Sequence, residues 1–265
     1  EEEKRMHSGV GRIAPMRMRT MSLWESKESN GKVSLASLFE GDADVAAISD
    51  LTIEGLAYAT CRGGWPASTK LKEKAALRVA RNYVEEVINY DVHRVDGVDK
   101  NTTRVRKLLE SYARNISTMA ANETIMADVR ATDQTISPNT FAIYLSALRR
   151  IFIVDDVPAW SPTLRSKTKI RTSPKRHFVD PSIAVALMGT NPQGLLKDFP
   201  TFGFLFEDLC ARDLRVYAQA LDGEVYHYRD KNELECDLVV ALRDGRWGAV
   251  EVKLGKNEEE DAAKH

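Results

Sequence analysis

Glu235-Cys236-Asp237-Leu238-Val239-Val240-Ala241-Leu242, then Asp244-Gly245, then Gly248-Ala249-Val250-Glu251-Val252-Lys253-Leu254: this stretch decides the fold. Two short apolar runs flanking an Asp-Gly pair read as a β-hairpin, because Asp-Gly supplies the positive backbone angles a tight turn needs. Upstream, Glu224-Val225-Tyr226-His227-Tyr228-Arg229 reads as a third strand, and a helix from about Phe202 to Ala220 leads into it. A helix near Asn257 would follow, which makes an α/β arrangement.

The same hairpin carries the candidate chemistry. Glu251 and Lys253 are two apart, so in a strand both side chains leave by one face. With the turn at Asp244-Gly245, Asp237 pairs close to Glu251 or one residue from it. Two carboxylates are what a Mg²⁺ ion takes from a protein while keeping several waters. Such an ion activates water and stabilises phosphate charge, and a lysine beside it orients the water. Glu207, on the helix entering the sheet, joins if it faces inward. The expected catalytic set is therefore Asp237, Glu251, Lys253 and Glu207, with Asp237 and Glu251 on the metal. A bland alternative is a surface ion-pair group of little energetic weight. Against it, these acids sit in apolar strands, where an unpaired charge is expensive.

Working outward, the preceding 160 residues read as mostly helical. Ser49 to about Arg62 is helical and is stopped by Gly63-Gly64-Trp65-Pro66. A second helix is expected after Ser68 as N-cap, with Leu71, Ala75, Val79, Tyr83 and Val87 on its buried stripe, to about Tyr90. Helices follow at about Thr103–Ala120, with Leu108, Leu109, Tyr112 and Ile116 on one stripe, at Ile125–Arg130, and from Ser137-Pro138 to Arg150. Ile151–Val154 and His177–Val179 read as two strands. Helix, short helix, helix and a two-stranded wing is the order of a winged helix-turn-helix. The basic residues Arg165, Lys167, Lys169, Arg171, Lys175 and Arg176 sit between the wing strands with no Asp or Glu among residues 161–179, and would grip a phosphate backbone or form a solvated loop. At the N-terminal end, Arg17 and Arg19 alternate with Met16 and Met18, which suits an extended segment packed on one side.

Composition excludes several classes. The 265 residues are 43% hydrophobic and 29% charged with net charge -1, so the chain is globular and any nucleic-acid contact must be local. The 3 cysteines form no metal or disulfide pattern, and the 5 histidines show no ligand spacing and read as structural. With no membrane-length apolar run and no signal peptide, a cytoplasmic setting is expected. No phosphate-binding G-x-x-x-x-G-K-[ST] occurs, so this chain alone should not hydrolyse ATP. The first residues read as the middle of a domain and residues 258–265 as the opening of a helix, so a piece of a longer protein is expected.

His7-Ser8-Gly9-Val10-Gly11-Arg12-Ile13 with Met18-Arg19-Thr20-Met21-Ser22-Leu23-Trp24-Glu25-Ser26 resembles a late stretch of the ATPase domain in a group of bacterial and archaeal AAA-type ATPases. Gly63-Gly64-Trp65-Pro66 resembles their G-G-[FYW]-P turn, and Pro174-Lys175 with Phe178-Val179-Asp180 their PKxYFxDxG segment, although Pro181 follows the Asp here. Those proteins end in a part resembling the PD-(D/E)XK nuclease fold, to which Phe206-Glu207, Asp237 and Glu251-Val252-Lys253 correspond. The resemblance implies an ATPase remnant over residues 1–45, a helical lid over 46–100, a winged helix over 101–197 and a nuclease-like α/β sheet over 198–265. It implies ATP in the parent protein only, with Arg12 near the nucleotide. Two functions stay open: nucleic-acid binding and cleavage with Mg²⁺, or a non-catalytic module that binds a protein partner.

Overall fold

The computed structural model describes residues 16–255 apart from 43–44, 46, 164–171 and 231. Arg12, the wing residues Arg165, Lys167, Lys169 and Arg171, and the helix expected near Asn257 lie outside the described residues. The fold is mixed α/β. Its helices are α1 (Leu35–Phe39), α2 (Ile53–Arg62), α3 (Glu73–Glu86), α4 (Thr102–Arg114), α5 (Asn122–Arg130), α6 (Pro138–Arg150), α7 (Pro181–Met188), α8 (Pro192–Leu195) and α9 (Phe199–Ala220). A three-stranded antiparallel sheet follows, β1 (Gly223–Arg229), β2 (Glu235–Leu242) and β3 (Trp247–Val250), in the order β1-β2-β3.

Local signals explain most of these boundaries. α2 begins at Thr52, whose side chain accepts from the Gly55 N–H, and stops at Gly63, which takes φ 72°. α6 has the expected Ser137 cap and Pro138 in its first turn, and buries Phe141, Tyr144, Leu145 and Leu148. In α4 the expected stripe Leu108, Leu109, Tyr112 and Ile116 is buried.

Several expectations need correcting. Ser68 sits in a short 3₁₀ turn, buried, with its hydroxyl donating to the Trp65 carbonyl; α3 starts at Glu73 with no side-chain cap. Its buried stripe is Ala76, Ala80 and Val84, one position on from the expected one, and Leu71 is exposed. The smaller alanines face in because α3 packs closely on α2 and α7. The helix expected to reach Ala120 ends at Arg114: Ser117 turns to φ 56° and its N–H donates to the Arg176 carbonyl instead. Ile151–Phe152 is a turn, and only Val154 of that run pairs. α7 and α8 were not anticipated, although Asp180-Pro181 and Asn191-Pro192 are cap-and-first-turn signals and Gly189 is a left-handed stop at φ 67°.

The two halves are joined by an extended pair. Residues 153–157 run antiparallel to 175–179, through bridges Val154 to Phe178 and Val157 to Lys175. The first of these segments continues until Ala159 makes a parallel bridge to His227 on β1. One hydrophobic core gathers α2, α3 and α4 to α9, from Ala57 to Leu205; a smaller one lies between α9 and the sheet, with Ala211, Ala218, Val225, Leu238 and Val240. The N-terminal segment closes over both. Gly64 touches the Met21 backbone so closely that the Met21 N–H donates to the Gly64 carbonyl at 2.7 Å.

Candidate functional site

α9 is amphipathic in an unusual way: Glu207, Asp208, Arg212, Asp213 and Arg215 are all buried alongside its apolar residues. Burying that many charges requires a partner for each. For Glu207, Asp208 and Arg212 partners come from Pro174–Asp180, sorted by the period of an extended chain, while Asp213 pairs with Arg212 and Arg215 with Asp155. Lys175 and His177 face α9, while Arg176 and Phe178 face the helices, where Arg176 donates to the Tyr112 hydroxyl at 3.0 Å and Phe178 packs on the Tyr112 ring.

The contacts climb the helix in order. Lys175 Nζ donates to Glu207 Oε1 at 2.7 Å and to Asp237 Oδ1 at 3.0 Å. At the next residue of the helix, His177 Nδ1 lies 2.7 Å from Asp208 Oδ1. Asp180 accepts from Arg212 at 3.1 Å, from the Gly64 N–H at 2.9 Å and from the Ser182 N–H at 3.0 Å. Arg212 also donates to Asp213, whose other oxygen accepts from the Leu23 N–H at 2.9 Å. Asp180 thus caps α7, holds the tight turn after α2 and pairs with α9 at once.

At the sheet, the β2–β3 pairing stops at Leu238 and Val250. One step further, where Asp237 and Glu251 would face each other, the Asp237 carboxylate replaces the ladder and accepts from the Val252 N–H at 3.0 Å. Glu251, exposed, accepts from Lys253 Nζ at 2.7 Å. The four expected residues therefore lie along one sheet edge, but as two ion-paired groups: Glu207–Lys175–Asp237 inside and Glu251–Lys253 outside.

Electrostatics follow from this count. One ammonium serves two carboxylates. Burial lowers the Lys175 pKa, but attraction by Glu207 and Asp237 outweighs it, so the amine is held charged with a raised pKa. Glu207 is pushed up to about 7, by burial first and by Asp237, with Lys175 opposing. The site's surplus negative charge is thus suppressed at Glu207. Deeper in, burial drives His177 down to about 3 and Asp208 well above the usual carboxylate range, so burial opposes the charged form of both partners.

Tested against a divalent ion, this arrangement does not fit one. Of the two expected ligands, Asp237 already pairs with the Lys175 ammonium and Glu251 with that of Lys253, and among the described residues no group of three or more His, Cys, Asp or Glu side chains is placed to hold a metal.

Residues 53–194, more than half of the chain, match the family described as Domain of unknown function (DUF8612). The chain belongs to that family. Residues 202–265 match a second one, Domain of unknown function (DUF4143). No curated protein and no solved structure matches the chain. The DUF8612 region supplies Lys175, His177 and Asp180, and the DUF4143 region supplies Glu207, Asp208, Arg212 and Asp237. The Lys175–Glu207, Lys175–Asp237, His177–Asp208 and Asp180–Arg212 contacts therefore each join the two matched regions.

In this DUF8612 chain two of the six basic wing residues are described, and both are inside the protein. Lys175 is 6% exposed and Arg176 2%, the latter donating also to Ala120 and Asn122. Their aliphatic stems and charged heads are enclosed, so they hold the joint rather than face a nucleic acid. Sequence reading missed Lys175 as a partner of Glu207. The available signal was period two: Lys175, His177 and the wing's pairing partners alternate with Arg176 and Phe178. The His177–Asp208 and Asp180–Arg212 pairs carry no local sequence signal, since 31 and 32 positions separate them.

Proposed function

We propose that this chain is a non-catalytic binding module of an AAA-type ATPase, in which a nuclease-like sheet has become part of a rigid joint. DUF4143 is often found in AAA-ATPase-associated proteins, and the resemblance of the N-terminal stretch to the end of an ATPase domain points the same way. The observation that carries the reading is Lys175 Nζ at 2.7 Å from Glu207 and 3.0 Å from Asp237. Glu207 and Asp237 already share the ammonium of a lysine from another segment, and a metal would first have to expel that lysine. The helix–helix–helix–extended-pair region then serves, as such folds often do, to dock a protein.

Incubation of the chain with single- and double-stranded DNA and Mg²⁺ or Mn²⁺ tests this. The module reading expects no cleavage above that of a Glu251→Ala, Lys253→Ala form. Divalent-dependent cleavage that the double variant loses would overturn it.

A second reading is favoured by Asp237, Glu251 and Lys253 sharing one sheet edge. There the chain is the nucleic-acid-binding and cleaving part of a DNA-associated ATPase, and docking of substrate withdraws Lys175 so that Asp237 and Glu251 bind Mg²⁺.

A further inference from the structure

Further along α9, an open cleft of about 880 Å³ lies between the N-terminal segment and the start of the sheet; Arg17, Arg19, Asp155, Arg215 and Arg243 line it. Three guanidinium groups converge there on one carboxylate. Arg17 meets Asp155 Oδ1 at 2.9 Å, Arg215 meets Oδ2 at 3.0 Å, and Arg19 bonds to Oδ2 as well. Asp155 is 8% exposed and so is Arg215.

Asp156, Glu25, Asp222 and Glu224 line the same cleft. Asp156 is engaged on the opposite side by the Tyr112 hydroxyl, Arg149 and Arg176. Glu25 accepts from Ser22, Asp222 pairs with Arg243, and Glu224 accepts from the Tyr226 hydroxyl. At Asp155 itself three cations meet one carboxylate, while Glu25 and Glu224 at the cleft keep their charge because their hydrogen-bond donors are neutral. The Nε groups of Arg17 and Arg19 have no hydrogen-bond partner, so donors exceed acceptors. Burial lowers the pKa of Arg17 and of Arg215; Asp155 opposes the fall and the neighbouring arginines add to it.

We propose that this cleft binds a phosphate oxyanion. Planar guanidinium forks match phosphate oxygens in pairs, and the unpartnered Nε donors of Arg17 and Arg19 lack the acceptors that phosphate oxygens supply. A cleft of this volume accommodates a nucleotide-sized ligand. The phosphate comes either from a free di- or triphosphate or from the phosphorylated end of a strand; the recognising chemistry is the same. The inference is separate from the module reading, because none of these arginines touches Lys175, Glu207 or Asp237.

Calorimetric titration of the 265-residue chain at low salt tests it, with inorganic pyrophosphate, an oligonucleotide carrying a 5′-phosphate, and the same oligonucleotide without it. Pyrophosphate is expected to bind the wild-type chain and raise its Tm. Arg17→Gln, on the extended and partly exposed N-terminal segment, is expected to weaken binding by roughly tenfold or more, the weight of one charge-assisted contact. Arg243→Gln, at the exposed rim, folds irrespective of the cluster and is expected to weaken it about threefold, as a solvent-screened charge does. Preference for the 5′-phosphorylated over the plain oligonucleotide would assign the strand end as source; binding of pyrophosphate alone would assign the free ligand. No pyrophosphate binding by the folded wild type, or binding that both substitutions leave unchanged, would overturn the proposal.

Discussion

The ammonium of Lys175 meets the carboxylate of Glu207 at 2.7 Å, and the same ammonium meets Asp237 at 3.0 Å. This one side chain ties the extended pair, the long helix and the central strand together. It also occupies the position from which a cation would have to act on those carboxylates, so structure and chemistry at this edge depend on the same contact.

Lys175→Met should destabilise the protein strongly. It leaves Glu207 and Asp237 without their shared counter-charge, a loss of about 3–5 kcal/mol for a broken buried pair. Adding Glu207→Gln should recover part of that. Urea denaturation of the single and double variants checks both statements.

Glu207 gives a pH signature. Its folded pKa of about 7 lies above the ordinary glutamate value, so between pH 4.5 and 7 the folded state binds more protons than the unfolded one. Stability from this group is therefore present at low pH and lost as pH rises through that window, by about 3 kcal/mol. The buried histidines titrate in both proteins, so the difference between wild type and Glu207→Gln isolates the effect. Unfolding free energies of the two at pH 4.5 and 7.5 should converge at one end and separate at the other.

Asp180→Ala should cost at least about 3 kcal/mol, because it removes the α7 cap and leaves Arg212 buried without one of its two acidic partners. By contrast, Glu251→Gln alters only an exposed pair with Lys253 and should stay within about 0.5 kcal/mol of wild type. Thermal or chemical unfolding of both variants makes the comparison.

Gly64→Ala tests the seat of the N-terminal segment. A Cβ at Gly64 would stand 2.1 Å from the Met21 carbonyl oxygen, which is backbone and cannot swing aside. Displacing the segment should cost about 1–3 kcal/mol, and limited proteolysis should cut near Met21 faster than in wild type.

What was legible in the sequence was local. Asp244-Gly245, Gly63 and Ser137-Pro138 each announce a turn or an end, and the strands and helices next to them lie where those signals put them. Period alone did less well in α3, where Ala76 and Ala80 are fully buried while Tyr83 is half-buried at the core's edge against Trp65, because close helix packing favours small residues. The wing strands were legible only in part, since Phe152 takes φ 61° and breaks the run that its apolar neighbours suggest. For the site, the position of Asp237 beside Glu251 followed from the hairpin, and inward-facing Glu207 was foreseen as a condition. That Lys175 would fill the space between Glu207 and Asp237 was not legible: it depends on how a segment 32 positions before Glu207 crosses the helix, which no local pattern encodes.

The most direct measurement is calorimetric titration of Mn²⁺ into the wild-type chain beside Lys175→Met/Glu251→Ala, at pH 7.5. The account predicts no binding to the folded wild type. One Mn²⁺ bound per wild-type chain and lost in the variant, with Lys175 displaced from Asp237, would contradict it.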